Sequence, residues 1–433
     1  MPFSHCIAFL NIDFLMIKIN QAKNFFFLNW AIFLLPVSMI IGNAAININC
    51  LLISLLFLAN IFKKKISLVN INKINIIFFL FFSFFLLNIY LSVNQKISFF
   101  SFLGIIRYVF LLAAILYCCK YIESFIDLFS KIILIILILV CLDTLLQFFT
   151  GVDIFGYELL AAHGVRLSGP FGDEYIVGSF ISKFALISLF YLNKKKRTYE
   201  YLWILIVISI VILSNERAAS IMCLASIIVY FILTPRYNIK KKFLCFSGII
   251  VFIMSLFTIN TQLKEHFIKR TSQQFGFSSG NTDYERDSFL DSKWGAHFLT
   301  AIKINKNYPF IGSGLHTYRI ECRETKYEKI KSIQYKERCN THPHNIYLEV
   351  YSELGTIFFI CFILLHIYFT FKLFKIYFFN QDYKNEASII ISLYFMLFFP
   401  IQTTGALFST WNGVIYWVAI ALCLNLFTKV AKN

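Results

Sequence analysis

Twelve apolar stretches of helical length constrain this chain more than any other feature. They lie near residues 25–42, 44–62, 74–92, 99–118, 131–150, 175–192, 200–215, 217–234, 243–260, 346–370, 386–404 and 411–428. A helix needs about 20 apolar residues to cross a bilayer, so the pattern predicts an all-α polytopic membrane protein. Outer-membrane strands would alternate apolar and polar residues, whereas Ile132–Val140 is apolar on every side. Only 15% of the residues are charged, against about 25% in a soluble domain. A soluble enzyme and a nucleic-acid-binding domain are therefore excluded as readings of the whole chain.

The net charge of +17 has its explanation in where the cations fall. Lys63–Lys65, Lys194–Arg197, Arg236 with Lys240–Lys242, and Lys372, Lys375 and Lys384 occupy alternate short connections. Lys18, Lys23, Lys429 and Lys432 agree with them, and the positive-inside rule then puts all of these, and both termini, in the cytoplasm. The expected organisation is a cytoplasmic or interfacial lead-in over 1–24, with no signal-peptide cleavage pattern, and helices 1–9 over 25–260. A large periplasmic loop over 261–341 and helices 10–12 over 342–433 complete it. Long loops contribute little to the rule, so the basic residues of 261–341 are compatible with an external position.

With that orientation, four unusual polar segments share the external face: 151–156, 166–174, 214–220 and 341–349. In Thr341-His-Pro-His-Asn345, Pro343 suits the first turn of a helix and places His344 at the start of the span over 346–370. The positive end of the helix dipole there disfavours imidazolium, which leaves a neutral ring able to accept a proton; the alternative is a histidine that caps the helix or binds a headgroup. His342 is too close to His344 for helical metal ligation and no third ligand is suitably spaced, so neither a metal nor a cofactor is expected. Arg217, in a very short hairpin, either forks onto phosphate oxygens or anchors to a lipid phosphate, and Glu216 beside it either neutralises it or does nothing. Arg166 precedes the turn-rich Ser168–Gly169–Pro170 and Gly172, Asp173 and Glu174, a loop that is structural or admits a ligand to its backbone. Arg107, Asp143 and Lys183 are the charges nearest the bilayer interior, and an ion pair among them is the expected explanation, with a proton or ion pathway as the alternative. Tyr284, Arg286, His297 and Arg319 read as loop surface residues. Cys322 and Cys339, the two cysteines of the long external loop, are expected to form a disulfide in an oxidising periplasm.

Together these segments resemble the O-antigen ligase and O-antigen polymerase superfamily. His344 and Asn345 followed by Gly355 carry the most specific match, supported by Asn307-Tyr-Pro-Phe-Ile-Gly-Ser-Gly-Leu-His316, by 166–174 and by Ser214-Asn-Glu-Arg217. Phe358 departs from the family pattern, which prefers Gly, Thr or Tyr there. The resemblance implies an inverting, metal-independent glycosyltransferase of the bacterial inner membrane with a periplasmic active site. Its donor would be an undecaprenyl-diphosphate-linked glycan and its acceptor a lipid A core sugar, with membrane lipid around it and no nucleic acid. By that resemblance His344 activates the acceptor hydroxyl and Arg217 and Arg166 bind the donor diphosphate. Asn345, Glu174, Arg286, Arg319 and His342 are the supporting candidates. A polymerase, a protein O-oligosaccharyltransferase and, from a different class, a polysaccharide flippase are the alternatives. A flippase would carry repeat symmetry and a midplane site.

Overall fold

A computed structural model describes residues 26–64, 82–158, 166–269, 271–272, 288–402 and 405–431. Of the described residues 78% are helical, and none forms a strand. The long helices are α1 (26–41, interrupted at Leu34), α2 (Asn43–Lys64), α3 (82–90), α4 (Gln95–Tyr121), α5 (Phe125–Thr150), α6 (Val177–Leu192) and α7 (Arg197–Leu213). They continue as α8 (Arg217–Leu233), α9 (Ile239–Ile259), α10 (Lys293–Asn307), α11 (Ile346–Phe379), α12 (Lys384–Phe398) and α13 (Thr410–Val430). Side-chain caps mark several starts, because the first N–H groups of a helix lack an internal acceptor. Asn94 caps α4, Asn238 caps α9, Ser292 caps α10 and Ser409 caps α13.

The twelve apolar stretches fall on helices wherever they are described, but those helices are not alike. Among the described residues six are long and apolar enough to cross a membrane: α2, α4, α5, α9, α11 and α13. The helices α6, α7, α8 and α12 have 16, 17, 17 and 15 residues. At 1.5 Å per residue these reach roughly 22–26 Å, short of a hydrocarbon core about 30 Å thick. They are nonetheless central. The buried α6 packs on α5, α7, α8 and α12, while only 6% of the apolar window of α9 is buried, against 67% for α13. The starts of α6 and α8 meet where Glu216 accepts Gly178 N–H, and Lys183 of α6 reaches Asn412 at the start of α13.

The expected span over 346–370 needs correction. Gly355 has φ +79° and ψ 178° and breaks α11 into 346–354 and 356–379. The first piece folds back along the second. Tyr351 meets Phe359 at 5.1 Å, and Tyr347 lies 5.6 Å from Phe362 and 6.0 Å from His366, all between ring centroids. The second piece, roughly 36 Å long, is the part able to span; the first is buried against the loop of residues 288–345. That loop is a folded unit. Helix α10 packs on the 346–354 piece, and Ala301, Ile304, Tyr318, Cys322 and Tyr327 form a small second core. Cys322 and Cys339 are disulfide-bonded there, with Cα atoms 5.3 Å apart.

Candidate active site

The fold-back is held by a clamp of main chain on main chain. Ser313 and Gly314 donate their N–H groups to the carbonyls of Ser352 and Glu353, and Thr356 donates to Pro309. The two strands approach so closely that a Cβ at Gly312 would stand 2.3 Å from the Glu353 oxygen, and one at Gly355 2.4 Å from that of Phe310. Both glycines also have positive φ, so no other residue serves there without strain. Buried Asn88 on α3 locks the clamp, donating to the carbonyls of Ile311 and Glu353 and accepting from Leu315 N–H. Phe358 fills the space beside it, stacked on Phe84 at 5.1 Å.

Two carboxylates on the 346–354 piece, Glu349 and Glu353, are spaced one turn apart and buried. Glu353 accepts the N–H groups of His316 and Tyr318. Glu349 accepts that of Leu407, ahead of α13. They tie two loops to one short helix. The sequence signal was available, since two acids within an apolar run demand a reason, but the sequence reading above passed over them, as it did Asn88 and His316.

Asn345, rather than Pro343, starts α11. Its Oδ1 accepts the N–H groups of Tyr347 and Leu348, and its Nδ2 donates to the carbonyls of Pro400 and Gln402. His344 precedes the cap, in the left-handed region at φ +59°, a conformation that is rare outside glycine and associated with functional sites. Its ring sits among aromatic faces, 4.3 Å from His342, 4.6 Å from Trp294 and 5.2 Å from His297 between centroids. Asn340 Oδ1 accepts Thr341 N–H, so its amide nitrogen donates to His344 Nε2 at 2.8 Å, and that nitrogen is the lone-pair side of a neutral ring. Burial, and then His342, His297 and Lys293, pull the His344 pKa down to about 2. Burial comes first for His342 and His316 too, each pulled down to about 4. The expected neutrality of His344 thus has burial as its main physical cause.

His297 is buried, with Nδ1 3.0 Å from the Arg338 carbonyl, and Arg319 is half-buried, so neither is an ordinary surface residue. Arg319 makes no hydrogen bond among the described residues, and its Nε is buried without a partner. It acts electrostatically on His316, His342, Glu349 and Glu353, which puts it between the histidines and the two acids. Tyr284 and Arg286 lie outside the described residues.

The other half of this face surrounds the start of α6 and α8. Glu216 turns its carboxylate onto α6, accepting from Gly178 N–H at 2.6 Å and from the Ser179 hydroxyl at 2.7 Å. It caps α6 instead of neutralising Arg217. Arg217 is the first residue of α8 and reaches Thr271 at 3.4 Å. A cation at that end opposes the helix dipole, whereas an anion is favoured there. Arg166 donates to the Tyr175 carbonyl, lies over the Tyr175 ring and acts electrostatically on Glu216, while its Nε is buried without a partner. Glu174 is exposed and makes no side-chain hydrogen bond among the described residues.

The interior charges do not pair with one another. Arg107 bonds Asn47, the Tyr108 hydroxyl and Thr410 Oγ1; Asp143 accepts Ile154 N–H; and Lys183 donates to Asn412. Each charge meets neutral oxygens or N–H groups instead of an opposite charge, and Arg107 Nε and Asp143 Oδ2 stay without a partner, which corrects the expected ion pair. Among the described residues no three His, Cys, Asp or Glu side chains converge as metal ligands.

Residues 202–363 match the family model for O-antigen ligase, a span running from α7 through the His344 segment into the second piece of α11. That match supports a place for the chain in the O-antigen ligase superfamily. No curated protein matches it. Within this superfamily its activity is of the ligase or polymerase kind, carried by a membrane enzyme of the glycosyltransferase or ligase type. With its spanning helices it is a multi-pass bacterial membrane protein. The O-antigen ligase match covers Arg217, Arg319, His342 and His344; Arg166 lies ahead of it.

Proposed function

We propose that the protein transfers a glycan from an undecaprenyl-diphosphate carrier to a sugar hydroxyl of the lipid A core, at the periplasmic face of the inner membrane. The observation that carries this reading is the combination, on one side of the bundle, of a neutral imidazole at His344 with Arg166, whose Nε is buried without a partner, and Arg217 at the start of α8. The acceptor oxygen attacks the anomeric carbon, and the bond from that carbon to the phosphate oxygen breaks with inversion. The diphosphate departs with the electron pair. His344 Nε2 takes the hydroxyl proton, which requires the acceptor to displace the Asn340 amide from that nitrogen. Arg217 and Arg166 meet the charge that develops on the diphosphate, the task a metal ion performs elsewhere. Arg319, His342 and Asn345 support His344. The topology proposed with it has twelve crossings, cytoplasmic termini and an external loop over 261–341.

Removing the gene and analysing surface lipopolysaccharide and lipid-linked glycan separately tests the reading. The expected result is uncapped core with long lipid-linked chains accumulating. Core bearing single repeat units would make the protein a polymerase, loss of glycan from proteins alone a protein oligosaccharyltransferase, and unaltered glycans would remove the enzyme reading.

A further inference from the structure

Two cations approach the first turn of α13 from separate helices. Arg107 on α4 donates to Thr410 Oγ1 at 3.2 Å, and Lys183 on α6 donates to Asn412 Oδ1 at 2.8 Å, with its ammonium 5.0 Å from the Trp411 ring centroid. Ser409 caps the same turn and accepts Asn412 N–H. Neither cation forms an ion pair within 4 Å among the described residues. Glu216, the acid acting on Lys183, has its oxygens committed to Gly178 and Ser179. Arg107 retains a buried Nε with no partner, and one hydrogen bond leaves Lys183 two N–H donors to spare. Two charges without counter-ions at membrane depth are costly unless an anion arrives from outside.

We propose that Arg107, Lys183 and the α13 turn between them form a phosphate-binding centre, separate from Arg166 and Arg217, for a phosphate monoester or diphosphate on a lipid. It rests on the glycosyl-transfer reading for its natural occupant, the lipid-proximal phosphate of the polyprenyl donor. That phosphate is tethered to a tail in the bilayer and so lies deeper than the phosphate bearing the sugar. The guanidinium and ammonium would exchange the neutral Thr410 and Asn412 oxygens for phosphate oxygens, with charge-assisted bonds, while the free N–H groups of the turn face the same anion.

The test uses the full chain in phosphatidylcholine nanodiscs, titrated with undecaprenyl diphosphate, inorganic pyrophosphate and phosphatidylglycerol. Lys183→Met and Arg107→Gln should each weaken undecaprenyl diphosphate binding roughly tenfold or more. Lys183→Arg should stay near wild type. Folded variants that bind as wild type overturn the centre and leave the transfer reading intact. Pyrophosphate or phosphatidylglycerol binding that depends on Lys183, without affinity for the polyprenyl lipid, keeps the centre and overturns that reading. Should both variants fail to fold, a cryo-electron microscopy structure of wild type with undecaprenyl diphosphate decides it: phosphate density between Lys183 and Thr410 supports the centre, and density confined to Arg166 and Arg217 overturns it.

Discussion

The two halves of the candidate site solve opposite electrostatic problems. Around His344 three other histidines share the region, and burial is the first cause lowering the pKa of all four. Around Arg217 the chain places positive charge at the start of α8, and the carboxylate next to it in the chain, Glu216, caps α6. A desolvated lone pair suits proton removal, and held positive charge suits a departing diphosphate. The division of labour is visible before any substrate is.

Disabling the first half should have the largest effect. His344→Ala is expected to lower transfer by about 10²–10⁴-fold with membrane insertion unchanged, and His342→Ala, which alters only the neighbour, should lower it less. Turnover of lipid-linked glycan by the purified variants measures both, and near-normal activity of the His344 variant would refute its role. A smaller effect follows from the second half. Arg217→Ala should weaken donor binding more than acceptor binding by roughly 10–100-fold, the worth of a charged hydrogen bond. Arg217→Lys should be impaired as well, because it loses the planar fork. Inactivation of purified enzyme by EDTA would contradict an arginine doing a metal's work.

How far the sequence led differs between the halves for physical reasons. Arg217 and Arg166 were legible because charge beside an apolar run is conspicuous. His344 was legible through its motif, but its environment was not. Trp294 and His297 reach it from 47 or more residues away in the chain, a distance no local pattern bridges. The fold-back at Gly355 was hidden for a related reason. Both pieces of α11 are apolar, so hydropathy reads one continuous span, and only the close approach to Gly312 reveals the turn. The shortness of the central helices was hidden because apolar composition marks burial and does not separate burial in protein from burial in lipid.

The disulfide offers a milder way to disturb the first half alone. Cys322→Ser opens a bridge across 17 residues and should lower the stability of the 288–345 region by about 3 kcal/mol, read by hydrogen exchange of that loop. Transfer should fall only a few-fold, since Arg338, whose Nε donates to the Cys322 carbonyl and whose own carbonyl faces His297, still joins the same two segments. Recovery of both cysteines as free thiols from periplasm-exposed protein would remove the bridge and this prediction with it.

The smallest expected effect is on pH dependence, and it separates burial from ordinary histidine chemistry. In the unfolded chain an imidazole titrates near about 6.5. In the folded chain His316 and His342 hold no proton until about pH 4, and His344 until about 2. Between those values the unfolded state binds more protons, so stability should decline as the pH falls below about 6.5 and stay level above it. The free enzyme has no histidine of this cluster changing charge near neutrality, so kcat/KM should show no limb from these histidines between pH 6 and 7. An acidic limb in that interval, abolished by His344→Ala or His342→Ala, would mean the ring is hydrated and basic, and the contrast between the two halves of the site would fail.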